Sequence, residues 1–360
     1  MDTIQLDDYN IYIGDVAQSL PDFFQTRRYS CIFVLCDDHT EQHCLPIIQP
    51  VLEAFDWTLI KIPPGEQHKH IETCKFIWWQ MMEQGADRQA LLINLGGGVI
   101  GDMGGFCAAT YKRGVDFVQI PTTLLAQVDA SIGGKLAIDF MEIKNSIGIF
   151  RNPQAVLIDP HFLQTLSGRE RRSGFAEIVK HSLIADKLQW LSIRNLTDLS
   201  EADWQTFIPL SLYVKKRIVE EDPYERGIRK ALNFGHTIGH ALESLMLETI
   251  SPLLHGEAIA IGMICESWLS HHLLGLPETE LSDITDFILR IFGHHGVSET
   301  DFPRLLQLMQ NDKKNEAGHI LFSLIYPLGQ AAINQTAEAE IIFESLRYYN
   351  RLAASKTVES

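Results

Sequence analysis

The sequence predicts an α/β N-terminal half with a mostly parallel sheet, followed by an all-α C-terminal half. Three observations carry this. Apolar runs at 32–36, 57–62, 90–95, 116–120 and 155–158 alternate with helical stretches, the pattern of a sheet covered by helices on both faces. A glycine cluster with G-x-G-x-x-G spacing (Gly96, Gly98, Gly101) follows the third run directly. From about residue 161 onward the periodicity is nearly all helical. The division is placed at 1–165 and 166–360.

Residues 1–30 read as short strands and turns. The strand at 32–36 runs into Asp37-Asp38-His39-Thr40, a helix cap, and a helix is expected over 41–55. The strand at 57–62 stops at Pro63-Pro64-Gly65, and 66–83 has helical periodicity ending at Gly85. After the strand at 90–95, Gly96, Gly97, Gly98 and Gly101 allow a tight turn and close approach of backbone to a phosphate, with Asp102 beside them. The helix that follows would offer free N–H groups and a positive dipole end. The strand at 116–120 ends in Pro121-Thr122-Thr123, and a second glycine pair, Gly133-Gly134, precedes Lys135. Two such turns and a lysine point to a nucleotide site with a phosphorylated substrate beside it. Asp116 begins its strand where a ribose-binding acid would end one, and receives no such role. Residues 140–150 read as a loop carrying Lys144 and Asn145.

Helices are expected at 168–185, 203–220, 229–247, 256–274 and 280–292, a short β pair at 320–326 and 330–334, a last helix at 337–352, then a frayed polar tail. Ligands of such sheets bind beyond the carboxyl ends of the strands, and the cleft between the halves is the expected place for chemistry.

The formal net charge of -16 over 360 residues excludes nucleic acid or an anionic membrane as the general partner, since both want basic faces. The six cysteines form no C-x-x-C pair and sit mostly in apolar runs, so buried free thiols are expected. The first fifteen residues lack a cationic-then-apolar leader, and no apolar stretch approaches the ~20 residues of a membrane helix, so a cytoplasmic protein is expected.

The helical half holds one constellation. His236 and His240 stand at i, i+4 on one helix face, a natural zinc-ligand spacing. His255 opens another helix. Glu177 lies on an otherwise apolar face, where a carboxylate needs a partner: either a metal ion or Lys180, one turn along. His271-His272 and His294-His295 are read as solvent-facing pairs, and Glu220-Glu221-Asp222 as a helix end.

The stretches GGGVIGDMGGF, KRGVDFVQIPTTLLAQVDASIGGK, Lys144-Asn145, GFAEIVKHSLI, RKALNFGHTIGHALE and LLHGEAIAIGM together resemble the 3-dehydroquinate synthase family, in order from about residue 63 to 314. The resemblance implies a Rossmann-like NAD domain, a helical metal-binding domain, a homodimer, NAD, and one divalent metal, zinc or alternatively cobalt. Its metal ligands would be Glu177, His236 and His255, leaving His240 on the substrate side. NAD contacts would include Asp37, Glu66, Lys69, Gly97, Gly98 and Asp102, then Thr122, Thr123, Lys144, Phe162, Thr165 and Glu170, with Lys135 close to both ligands. Substrate contacts would be Asp129, Lys135, Asn145, Lys180, Lys215, Arg229, Asn233, His240 and one of Lys313 and Lys314, here set at Lys314. Arg113 would reach the neighbouring subunit's site.

The family's substrate is 3-deoxy-D-arabino-heptulosonate 7-phosphate, a phosphorylated keto acid. The implied reaction is a transient oxidation by NAD, loss of phosphate, reduction and intramolecular aldol closure to 3-dehydroquinate. Three alternatives stand beside it: a sister sugar phosphate cyclase, a metal-dependent polyol dehydrogenase, and a catalytically dead NAD-binding regulator. Retention of Asn233, His240 and Lys313-Lys314 favours the first reading over the sister cyclase. The chain departs from the family at Leu136, where a threonine is usual, at 140–143, and in a slightly long 246–254 segment.

Overall fold

The computed structural model describes residues 2–141, 143–247, 249–310 and 319–356. The chain divides into two compact units, 1–171 and 172–360. The first is built on a seven-stranded sheet: β1 (Asp2–Gln5), β2 (Asn10–Ile13), β3 (Ile32–Asp37), β4 (Trp57–Ile62), β5 (Leu91–Gly96), β6 (Asp116–Pro121) and β9 (Ala155–Ile158). Their spatial order is β1-β2-β9-β6-β5-β3-β4. All neighbours run parallel except the β1–β2 hairpin at the edge.

Side-chain alternation explains why both faces are covered. On β3, Phe33 and Leu35 enter one apolar layer with Ile77 and Met81 of α4 (Ile71–Glu83) and Met103 and Cys107 of α5 (Gly98–Thr110). Ile32, Val34 and Cys36 enter the opposite layer. There they meet Leu20 and Phe24 of α1 (Val16–Gln25) and Ile48 and Leu52 of α3 (Leu45–Leu52).

Several sequence expectations are corrected. The helix expected over 41–55 is two, α2 (Asp38–His43) and α3, because Pro46 has no N–H to continue the ladder and instead starts a new first turn. The helical 66–83 segment is a 3-10 turn, Glu66–His68, and then α4, separated at Lys69 with φ -80° and ψ 59°. The loop expected at 140–150 is one strand of an antiparallel hairpin, β7 (Lys135–Phe140) and β8 (Ile143–Phe150). Residues 16–25, expected as strands and turns, form α1.

The second unit is helical: the body of α6 (Gly168–Ala185), α7 (Lys187–Ile193), α8 (Trp204–Glu221), α9 (His236–Met246), α10 (His255–Leu274), α11 (Glu278–Phe292), α12 (Phe302–Gln310) and α13 (Ala339–Lys356). One antiparallel pair, β10 (Phe322–Ile325) and β11 (Ala331–Gln335), lies where a β pair was expected. The helix expected over 229–247 is a 3-10 turn, Ile228–Asn233, and then α9, parted by Gly235 in the left-handed region. All six cysteines are free, and five of them are buried. Among the described residues no helix is long and apolar enough to cross a membrane.

Candidate active site

In the first unit the predicted nucleotide residues gather at the carboxyl ends of the parallel strands. Asp37 ends β3, the Glu66–Lys69 turn follows β4, Gly97 caps α5 after β5, and Thr122-Thr123 follow β6. Parallel register sets Gly96 opposite Pro121, and Thr122 N donates to Gly96 O at 3.0 Å. The buried amide of Gln127 ties two strand ends together, donating to Pro121 O at 3.2 Å and Asp159 O at 2.9 Å. No side chain caps the first turn of α5, and no acid lies in it, so backbone N–H groups there face the strand ends unscreened. A Cβ at Gly97 would stand 3.0 Å from the Thr123 side chain. Farther along α5, a Cβ at Gly104 would stand 2.0 Å from Asn94 Oδ1, so glycine lets the helix lie directly on β5.

Lys69 organises the polar part of this cluster. Its buried Nζ donates to Asp102 Oδ2 at 2.8 Å and Asn145 Oδ1 at 2.7 Å, with Glu66 Oε1 3.9 Å away. Burial alone would lower its pKa, but Asp102 and Glu66 overcome that and raise it, so the ammonium is retained. Burial likewise lifts the Glu66 carboxyl, against the pull of Lys69 and Lys144. The β7–β8 hairpin is fastened to the same segment: Asp139 N donates to Lys69 O at 2.8 Å, and Asn145 N, at a residue with φ 51°, donates to Asp139 Oδ1 at 2.7 Å. Lys135 and Leu136 point to opposite sides of β7. Lys135 is exposed, whereas Leu136 is buried against Gly105 of α5.

The turn before Lys135 is clamped from the edge of the sheet. Tyr9, between β1 and β2, accepts from Gly133 N through its hydroxyl at 3.2 Å. Arg151 N donates to Gly134 O at 2.8 Å, and Asn152 Nδ2 to Asp8 Oδ2 at 3.0 Å. Asp129 lies in a single π-helical turn, Ala126–Ala130, just ahead of this turn.

The remaining predicted residues are placed as follows. Asp37 caps α2, accepting from Thr40 N at 2.8 Å. The Phe162 ring lies in the apolar layer. Thr165 Oγ1 donates to Phe162 O at 3.3 Å. Glu170 N donates to the Ser167 hydroxyl at 3.2 Å. Arg113 is exposed between Lys112 and Gly114, three consecutive residues with φ of 49°, 71° and 114°. Asp116 accepts from Tyr29 and Gln154, consistent with a structural role.

In the second unit Glu177 serves both readings the sequence left open. Its Oε2 pairs with Lys180 Nζ. Its Oε1 lies 3.5 Å from His236 Nε2 and 3.7 Å from His255 Nε2. Ring nitrogens of His236, His240 and His255 all lie within 4.8 Å of one another. Donors ~2.0–2.1 Å from a zinc ion at tetrahedral angles stand roughly 3.3–3.5 Å apart, so these spacings fit a metal with small adjustment.

The outer partners fit as well. His236 Nδ1 faces Phe234 O at 3.0 Å, and His255 Nδ1 faces Glu243 Oε2 at 3.2 Å. Each imidazole therefore keeps Nε2 for the centre, the arrangement that orients metal-binding histidines. Burial alone would lower the His255 pKa, but hydrogen bonds and charge from Glu177 and Glu243 push it up to about 10.

Close helix contacts bring these side chains together. A Cβ at Gly256, next to His255, would stand 1.9 Å from Ser173 O on α6, four residues before Glu177. A Cβ at Gly262 of α10 would stand 1.9 Å from Gly235 O, just before His236. Glycine at both positions lets α6, α9 and α10 meet backbone to backbone. Lys180, Lys215 and Arg229 are all buried in this unit, a concentration of cations that matches an anionic substrate in an acidic chain. Asp222 arranges the approach to Arg229, accepting from the N–H groups of Arg226, Gly227 and Arg229. Asn233 Nδ2 donates to Glu225 Oε1 at 2.9 Å. Lys313 and Lys314 lie outside the described residues. His271 and His294, read as solvent-facing, are half-buried, bonded to Leu276 O and Tyr349 O. Sequence reasoning missed Glu243 and Tyr9. The first carried a signal, standing seven residues after His236 and three after His240 on one helical face.

Comparison with known proteins follows the same division. Residues 59–173 match the model of the 3-dehydroquinate synthase N-terminal region, and 174–315 that of its C-terminal region. A curated 3-dehydroquinate synthase from Parabacteroides distasonis is 42% identical over 338 residues, 93% of this chain and 96% of that protein. The crystal structure of a 2-deoxy-scyllo-inosose synthase with carbaglucose-6-phosphate, NAD+ and Co2+ superposes with a TM-score of 0.85 at 22% identity, covering 96% and 99% of the two chains, and supports the fold alone. The 2-epi-5-epi-valiolone synthase of Streptomyces hygroscopicus, solved with NAD+ and Zn2+, gives a TM-score of 0.84 at 25% identity, covering 98% and 99%. With both family models in register over more than half the chain, and a relative this similar along nearly its whole length, the chain belongs to the 3-dehydroquinate synthase family.

Proposed function

We propose that this chain is a phosphate-eliminating carbon–oxygen lyase that converts 3-deoxy-D-arabino-heptulosonate 7-phosphate to 3-dehydroquinate, with NAD and one divalent metal as resident cofactors. The observation that carries the reading is the Glu177 carboxylate, set between Lys180 on one oxygen and the Nε2 atoms of His236 and His255 on the other. Glu177, His236 and His255 would hold the metal. The α5 N-terminus with Gly97 and Gly98, together with Asp37, Glu66, Lys69, Asp102, Thr122, Thr123 and Lys144, would hold the dinucleotide. When bound, the metal supplies Lewis acidity toward a secondary alcohol and NAD supplies reversible oxidation of that carbon.

The chain's own residues do the rest. Lys180, Lys215 and Arg229, all buried, clamp carboxylate and phosphate and exclude water. Lys69 fixes the amide of Asn145 by donating to its oxygen, leaving the NH2 group to face a phosphate oxygen. His240, in the same histidine cluster, orients the departing phosphate or carries its proton. Asp129 and Asn233 position substrate hydroxyls. Arg113 completes the site of a second subunit in a homodimer. The enzyme would work in the cytoplasm.

The test is phosphate release from 3-deoxy-D-arabino-heptulosonate 7-phosphate, with and without chelator, while NADH absorbance is followed. Chelator-sensitive release with no net NADH supports the reading. No release with metal and NAD both bound would transfer it to a sister cyclase acting on another sugar phosphate. Net NADH from a simple polyol would transfer it to a dehydrogenase.

A further inference from the structure

Glu266 is fully buried on α10, three turns beyond His255, and the proposed reaction gives it no task. A carboxylate in that position must be compensated. Its compensation comes from the start of α9: Gly235 N donates to Oε2 at 2.6 Å, and Thr237 N and Ile238 N donate to Oε1 at 3.1 Å each. Most helices satisfy these donors with a side chain at the cap itself. Here the cap residue is Gly235 at φ 79°, and a Cβ there would stand 2.7 Å from Met263 and 3.0 Å from Ile259 O. The helices cross too closely for a local cap, so the capping group comes from the neighbouring helix.

The location gives the contact a second consequence. The first turn of α9 carries His236, and its next turn His240. A helix start bears about half a positive charge, which disfavours a dication held by side chains of that turn. The Glu266 carboxylate sits on those same N–H groups and offsets that charge. It also fixes the start of α9, with His236, against the helix that His255 opens.

We propose that Glu266 is a positioning residue for the metal centre, holding the His236–His255 spacing and neutralising the positive start of α9. The proposal rests on the metal reading above. In Glu266→Gln, zinc affinity measured by competition with a chromophoric chelator should fall about 10–100-fold, at a temperature where near-UV circular dichroism remains native. The visible bands of the Co2+-loaded variant should shift. Glu266→Asp, which keeps the charge, should recover several-fold of the lost affinity. A core truncation elsewhere, Ile284→Val, should lower Tm without moving zinc affinity or the Co2+ bands.

Wild-type zinc affinity and unchanged Co2+ bands in Glu266→Gln would overturn the proposal. A wild-type protein that takes up no metal would overturn the metal reading and this proposal with it. If the variants do not fold, the unaltered holoenzyme decides, because coupling is reciprocal. Stripping zinc should speed hydrogen exchange of the Gly235, Thr237 and Ile238 amides about 10-fold, and exchange indifferent to zinc would overturn it.

Discussion

The proposed nucleotide site and the proposed metal site are built from different materials. The first is made mostly of backbone: strand ends in register, a helix start, and glycines that admit close approach. The second is made of side chains: one carboxylate, three imidazoles and buried cations, with His236 and His255 aimed by Phe234 O and Glu243. A backbone site is robust to losing one side chain and fragile to gaining one. A side-chain site is the reverse.

The largest effect is expected from deletion in the side-chain site. His255→Ala should abolish stoichiometric metal binding and lower turnover by about 10³-fold or more, with NAD binding intact. Full activity with metal retained would remove His255 from the centre. His240→Ala should keep the metal and lower kcat by about 10²-fold through the phosphate step. Metal loss in that variant, measured by elemental analysis, would make the i, i+4 pair His236–His240 the ligand pair instead. The backbone site should break in the opposite way. Gly104→Ala forces a methyl into Asn94 Oδ1, and overpacking of this kind costs about 1–3 kcal/mol. Displacement of α5 should weaken NAD binding about 10-fold by calorimetry while metal content stays at one per chain.

The same contrast governs what the sequence made legible. The parallel sheet was readable because its strands are buried on both faces and so appear as unbroken apolar runs. The β7–β8 hairpin was not, because β8 is exposed along almost its whole length and shows no buried stripe. Helical periodicity survives a change of axis and so runs through the breaks at Cys44, Lys69 and Gly235; only Pro46 and Gly235 marked two of them in the sequence. The ligand candidates Glu177, His236 and His255 were readable as residue types out of place, although the choice among the histidines came from family resemblance. Glu266 was not readable: it caps a helix 28–31 residues earlier in the chain, and no local pattern marks such a cap.

A smaller effect tests how far the backbone site depends on the edge of the sheet. The Tyr9 hydroxyl holds Gly133 N, in a turn where Gly133 and Gly134 have φ of 94° and 66°. Tyr9→Phe removes one hydrogen bond, worth about 0.5–1.5 kcal/mol. The loosened turn should raise KM for the phosphorylated substrate by about 2–10-fold through Lys135, with kcat and metal content held. An unchanged KM would mean that Arg151 and the glycine geometry fix the turn without Tyr9.

The smallest effect on turnover is expected at the one departure from the family that stands beside a proposed catalytic lysine. Leu136 follows Lys135, but strand alternation turns it away from the lysine and into the layer beneath α5, where Gly105 makes room for it. A threonine there would lose packing volume and bury a hydroxyl. Leu136→Thr should therefore lower stability by about 2 kcal/mol in urea unfolding. Turnover and KM should stay within about two-fold of wild type, because Lys135 keeps its side of the strand. A gain in turnover would show that the usual threonine hydroxyl reaches the site in spite of the pleat. The side-chain chemistry would then extend into the part of the molecule assigned here to backbone.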